Sequence, residues 1–130
     1  MLRTFIIIDD DLFSNTICSH VIKKHVKTGH IEVFANPEKG LKFLVGHLQA
    51  KDENDTVYVF LDINMPGMSG WELLKLLQIQ IIPDTEHLKI FMLSSSLNDK
   101  DRDQAKSNNL VSEYILKPFT KEKLFQIMGE

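Results

Sequence analysis

The chain has a single cysteine, Cys18, among 130 residues. An internal disulfide is thereby excluded, and the usage fits a reducing compartment, so a cytoplasmic protein is expected. Long apolar runs are missing as well. Phe5-Ile6-Ile7-Ile8 is too short for a signal-peptide core or a membrane span, and three Asp follow it at once. No basic block exists: the 15 Lys and Arg are scattered, the net charge is -3, and nothing favours a nucleic-acid partner. The five His carry no metal-ligand spacing, which argues against zinc. Repeats, low-complexity tracts and linkers are also lacking, so residues 1–130 are expected to form a single domain.

What is present suits a globular protein with one core, with 43% apolar and 25% charged residues. The organising stretch is Val57-Tyr58-Val59-Phe60-Leu61-Asp62-Ile63-Asn64-Met65-Pro66-Gly67-Met68-Ser69-Gly70. Its apolar run, rich in β-branched and aromatic residues and without polar alternation, reads as a strand buried on both faces. Asp62 then stands at the carboxyl end of a central parallel strand, where open α/β sheets hold ligands. Turn chemistry alone also accounts for an Asp in that position.

Phe5 to Ile8 is a second such strand, ending in Asp9-Asp10-Asp11. Ile17, Cys18, Val21, Ile22 and Val26 mark the buried stripe of the next helix, with Cys18 in the core and Thr28-Gly29 as its end. Ile31 to Ala35 reads as a strand. Asn36-Pro37 then starts a helix whose inner face is Leu41, Leu44, Val45 and Leu48. Ala50 to Thr56 reads as a long polar loop. Ser69 and Glu72 have capping-box spacing for a helix burying Leu73, Leu74 and Leu77, ended by Pro83-Asp84. Trp71 is expected to serve packing, and Met65 and Met68 to lie at the turn and rim. Leu88 to Leu93 is a fourth strand, running into Ser94-Ser95-Ser96. Residues 98–109 form the least buried helix, and Ser112 to Leu116 the fifth strand, followed by Lys117-Pro118-Phe119. Thr120 caps a last helix with Leu124, Ile127 and Met128 inward. Five strands alternating with five helices predict a doubly wound, flavodoxin-like parallel sheet with right-handed crossovers.

In such a sheet all strands end on one rim. The first offers Asp9 and Asp10, the third Asp62, the fourth Ser94 and the fifth Lys117. With the order 2-1-3-4-5 the first and third strands flank the switch point, so the acids meet there. Two carboxylates about 5 Å apart repel by about 3 kcal/mol at an effective dielectric of about 20. Such a cluster calls for a counter-charge, and oxygen ligands in a partly open site suit magnesium. With a cation at Lys117 and a hydroxyl donor at Ser94, the inventory suits stabilising an anion that forms on Asp62.

The sequence resembles the receiver domain of two-component response regulators, of the stand-alone chemotaxis-regulator type, over essentially its whole length. The matching stretches are Phe5-Ile6-Ile7-Ile8-Asp9-Asp10, Leu61 to Gly70, Met92-Leu93-Ser94-Ser95 and Leu116-Lys117-Pro118-Phe119. The resemblance implies that Asp62 accepts a phosphoryl group from a histidine kinase or phosphotransfer protein. It implies magnesium held by Asp10 and Asp62, with Asp9 acting through water and Asn64 through its backbone carbonyl. Ser94 would bond a phosphoryl oxygen, Lys117 would pair with the phosphate, and Tyr114 matches the aromatic switch position. The Lys117-Pro118 bond is expected to be cis. Ser at position 94 departs from the commoner Thr, and the role of Asp11 is left open.

Three functions are therefore weighed. The first is a phosphoacceptor that takes part in its own phosphorylation without being a multi-turnover enzyme and signals to a downstream target protein. The second is a pseudo-receiver that binds partners without phosphorylation. The third is a haloacid-dehalogenase-type phosphatase with Asp9 as nucleophile, against which Phe13 stands where that motif wants Thr or Val. With no output domain expected after Glu130, the receiver would act by protein contact.

Overall fold

The computed structural model describes residues 2–82, 84 and 86–129. Strands and helices alternate: β1 (Leu2–Ile8), α1 (Leu12–His25), β2 (Gly29–Phe34), α2 (Pro37–Ala50), β3 (Asp55–Asp62), α3 (Gly70–Gln80), β4 (Leu88–Ser94), α4 (Asp99–Ser107), β5 (Val111–Leu116) and α5 (Lys121–Met128). The five strands are parallel and lie in the order β2-β1-β3-β4-β5, with the helices flanking a flavodoxin-like sheet as expected.

The period-two alternation of strand side chains splits the core into two layers. Ile6, Ile8, Val57, Val59 and Leu61 point to one face, where Leu41 and Leu44 of α2 and Leu73, Leu74 and Leu77 of α3 close over them. Phe5, Ile7 and Phe60 point to the other, against Cys18 and Ile22 of α1 and Leu124 of α5. Central strands covered on both faces need no polar alternation, which is why their sequences read as continuous apolar runs. The helix starts follow their capping residues. Asn36 accepts from the Lys39 amide, Ser69 and Glu72 form the reciprocal capping box, and Thr120 accepts from the Lys123 amide.

The structure revises several local expectations. Helix α1 ends at His25, because Val26 already has extended backbone angles, and Gly29 opens β2 instead of closing the helix. The expected loop from Ala50 to Thr56 shrinks to residues 51–54, since α2 continues through Ala50 and β3 begins at Asp55. Asp55 is taken into the strand as a buried carboxylate, accepting from Thr4 Oγ1 at 3.0 Å and paired with His47 Nε2 at 2.8 Å. A carboxylate tolerates burial when so partnered. Met65 is a core residue rather than a rim residue, and Met68 packs half-buried against the same layer. Pro83, expected to break the third helix, lies outside the described residues. Helix α4 is as thinly buried as its polar sequence implied, with Ala105 its one buried residue.

Candidate functional site

The carboxyl ends of β1, β3, β4 and β5 bring Asp9, Asp62, Ser94 and Lys117 to one rim. Asp9 is fully buried. Its backbone N–H donates to the Phe34 carbonyl at 3.0 Å, and its own carbonyl accepts from Asn15 Nδ2 at 2.7 Å, so β2 and α1 both fix it. Its Oδ1 accepts from the Asp11 amide at 2.9 Å, while its Oδ2 faces Lys117 Nζ at 2.7 Å. That second contact is a charge pair without aligned hydrogen-bond geometry, so Oδ2 retains acceptor capacity. Asp62, nearly buried at the last position of β3, has Oδ1 3.4 Å from the same ammonium. The Lys117 amide donates to the Ser94 carbonyl at 2.7 Å, which locks β5 to β4 at this rim, and the Lys117-Pro118 bond is cis. Asp10 is exposed beside them. Asp11 caps α1, accepting from the amides of Phe13 and Ser14.

One ammonium serves two buried acids here and lies closer to Asp9 than to Asp62. The proton affinity of Asp62 reflects this. Burial first, and then the charge of Asp9, push its carboxyl up to about 7 against the opposing pull of Lys117. Burial works to lower the proton affinity of Lys117, but its contacts with Asp9 and Asp62 outweigh that and hold the ammonium above the ordinary lysine range. Asp9, Asp10 and Asp62 offer carboxylate oxygens within 4.8 Å of one another. A compact, oxygen-only set with an incompletely satisfied Asp9 Oδ2 fits a hard divalent cation such as magnesium.

Ser94 is buried, and its hydroxyl donates to the Ser96 carbonyl at 2.8 Å while accepting from the Ser96 amide at 3.3 Å. The half-buried Tyr114 donates its phenol to that same Ser96 carbonyl at 2.8 Å. Arg102 of α4 lies over the Tyr114 ring, 6.0 Å from its centroid. Asn64 is exposed in the turn after β3, where Gly67 takes the left-handed backbone conformation (φ 83°). Gly70 closes this turn: its amide donates to the Ile63 carbonyl at 2.8 Å, and a Cβ there would stand 2.5 Å from the Asp62 carbonyl oxygen.

Sequence patterning alone did not reveal the contacts of two further residues at the site. Asn15 continues the Cys18 and Ile22 stripe backwards at helical spacing, so its burial was legible, although its bond to Asp9 was not. Trp71 packs on the core as expected, but its indole N–H also donates to Asp101 Oδ1 at 3.0 Å, across 30 positions of sequence. No periodicity links those two residues.

The sequence matches the family model described as "Response regulator receiver domain" over residues 5–128. A chemotaxis protein CheY-3 from Vibrio cholerae is 37% identical over 79 residues, covering 58% of this chain and 58% of that protein. An uncharacterized response regulatory protein from the same species is 29% identical over 119 residues, 92% of this chain and 44% of its own length. The matches thus span about half the length of these curated relatives. Among solved structures, a two-component response regulator from Cytophaga hutchinsonii superposes with a TM-score of 0.86 at 27% identity, covering 98% of this chain and 95% of that one. A receiver protein from Dyadobacter fermentans, with a TM-score of 0.78 at 22% identity and 97% and 94% coverage, shares the fold.

Proposed function

The chain belongs to the response regulator receiver domain family, and on that premise we propose that residues 1–130 act as one phosphoacceptor domain in which Asp62 takes a phosphoryl group from a histidine kinase or phosphotransfer protein. A carboxylate oxygen of Asp62 forms a bond to phosphorus as the bond from phosphorus to the donor's imidazole nitrogen breaks. The observation that carries the reading is the Lys117 ammonium, held 2.7 Å from Asp9 and 3.4 Å from Asp62 at a rim built from four separate strand ends.

Each residue has a part in this reaction. Lys117 bridges toward Asp62, so its charge is in place for the equatorial phosphoryl oxygens that carry negative charge in the transition state. Asp10 and Asp62 would hold magnesium, with Asp9 reaching it through water and Asn64 contributing its backbone carbonyl. Bound there, magnesium would supply positive charge for the phosphoryl oxygens and for ionised Asp62. Ser94 turns its hydroxyl from the Ser96 carbonyl to a phosphoryl oxygen. Tyr114, which shares that carbonyl, responds as the switch. Asp9 is poorly placed to be the nucleophile of a phosphatase, since it is fully buried and its Oδ1 is held by the Asp11 amide.

The family is generally not one of multi-turnover enzymes, and we assign this chain the same character: it assists its own phosphorylation and dephosphorylation. Among the described residues no helix is long and apolar enough to cross a membrane. The lone, buried cysteine supports a reducing cytoplasm as the compartment. Signalling then proceeds by contact with a downstream target protein.

The test is incubation of wild type and Asp62→Asn with acetyl phosphate and magnesium, followed by intact-mass measurement. One added phosphoryl group on the wild type and none on the variant is the expected result. No gain on either would favour the pseudo-receiver, and a gain on both would move the acceptor elsewhere.

A further inference from the structure

Helix α4 lies against β5 and contributes little to the core. Its sequence, Asp-Lys-Asp-Arg-Asp-Gln-Ala-Lys-Ser, buries Ala105 alone, so apolar packing does little to fix its position. Particular side chains must do so. On one side stands Trp71, whose root is rigid. The neighbouring Gly70 is hydrogen-bonded to Ile63 and packed so closely on the Asp62 carbonyl that no Cβ fits, and the indole rests on the core layer. From there the indole N–H reaches Asp101 Oδ1 in the first turn of α4 at 3.0 Å. On the other side, Arg102 covers the Tyr114 ring, and the Tyr114 phenol shares the Ser96 carbonyl with Ser94. The acceptor turn and the Ser94–Tyr114 pair are thus joined a second time, through adjacent residues of α4.

We propose that Trp71 and Asp101 are a positioning pair whose hydrogen bond holds α4 in the arrangement that keeps Ser94 bonded to Ser96, and so opposes the rearrangement that phosphorylation requires. The tie itself stands on geometry, while its regulatory effect rests on the phosphoacceptor reading. An aromatic ring that only filled space would be replaced without loss by another ring. Here the N–H is the working part.

The decisive variants are Trp71→Phe, which keeps a ring but removes the donor, Asp101→Ala, which removes the acceptor, and Asp101→Asn, which retains an acceptor oxygen. Amide hydrogen exchange on the metal-free protein reads local opening of residues 99–107. Trp71→Phe and Asp101→Ala should each speed exchange there about fivefold, the effect of losing one ordinary hydrogen bond. The double variant should do no more than either, Asp101→Asn should restore protection, and β1 and α1 should not change. Because the chain has one Trp, its emission should also shift in Asp101→Ala and return in Asp101→Asn. Unchanged α4 exchange, additive effects in the double variant, or loosening spread evenly over all elements would overturn the tie.

A second arm measures beryllofluoride affinity in magnesium, which should tighten about fivefold in the two released variants as the opposing bond is lost. Loosened α4 with unchanged or weaker beryllofluoride binding would overturn the regulatory effect. Binding to neither wild type nor variants would remove the phosphoacceptor reading and the regulatory effect with it, and the exchange data would still decide the tie.

Discussion

Replacing Asp62 by Asn removes one charge from the rim with almost no change of shape, and the structure sets both sign and scale of the outcome. In the folded chain burial and Asp9 lift the Asp62 carboxyl from 3.8 to about 7. Between those values the folded chain binds more protons than the unfolded one, so stability falls as pH rises. The stability associated with protonated Asp62 is complete below pH 3.8 and is lost as pH climbs through about 7. At about 1.36 kcal/mol per pH unit, the ceiling on that loss is about 4 kcal/mol. Asn carries no such liability. Without magnesium, Asp62→Asn should therefore match the wild type near pH 4 and exceed it by up to about 4 kcal/mol at pH 8.

Urea unfolding at a series of pH values with a chelator present gives the difference directly. Magnesium added at pH 8 should raise wild-type stability, since a ligand bound only by the folded state shifts the equilibrium toward it. The gain should be smaller in the variant, which offers one carboxylate fewer. A difference between the proteins that stays flat from acid to alkaline pH, or that favours the wild type at pH 8 without metal, would refute the reasoning about this cluster.

Lys117→Met should destabilise the chain at neutral pH by about 3–5 kcal/mol, because it strands the buried Asp9 charge, and magnesium should recover part of the loss; chemical unfolding with and without the ion checks both. Gly70→Ala places a methyl 2.5 Å from the Asp62 carbonyl and 2.9 Å from Met92 Cε, and should cost about 1–3 kcal/mol in urea unfolding. Asp55→Ala leaves Thr4 Oγ1 without its acceptor and should cost about 1–3 kcal/mol, while phosphorylation of Asp62 by acetyl phosphate, read by intact mass, should survive it.

The centre of the sheet was legible because β1, β3 and β4 are covered on both faces: short uninterrupted apolar runs such as Val57 to Leu61, rich in β-branched and aromatic residues and closed by a turn, fit a buried strand. The rim was legible for a related reason. A polar residue at the end of such a run must stand at the sheet's edge, and parallel strands put all those edges together. The contacts that cross between elements were not legible. Trp71 and Asp101 share no period, and only the packing of α3 against the sheet brings the indole to α4. The Ala50–Thr56 loop misled because an acid in a polar stretch reads as solvated, whereas Asp55 finds Thr4 and His47 as partners from two other elements. Met65 misled in the opposite way, since its turn position hid the fact that the chain doubles back into the core.

Strand β3 carries two buried carboxylates, Asp55 at its start and Asp62 at its end. Composition and burial do not distinguish them; what does is how fully each is satisfied. Asp55 has a hydroxyl bonding both oxygens and an imidazole 2.8 Å away. Both its oxygens are partnered within the fold, and its burial serves stability. Asp62 shares a single ammonium with Asp9, and that ammonium lies nearer the other acid. A buried carboxylate left in that condition is a cost to the fold, which a further cation at the rim would relieve. Function can therefore be read at this end of the strand from what the local structure leaves unpaired or lightly held: Asp9 Oδ2 without an aligned donor, Asp62 with a raised proton affinity, and Ser94 with a hydroxyl bonded, among the described residues, to the backbone of Ser96, two residues along its own chain.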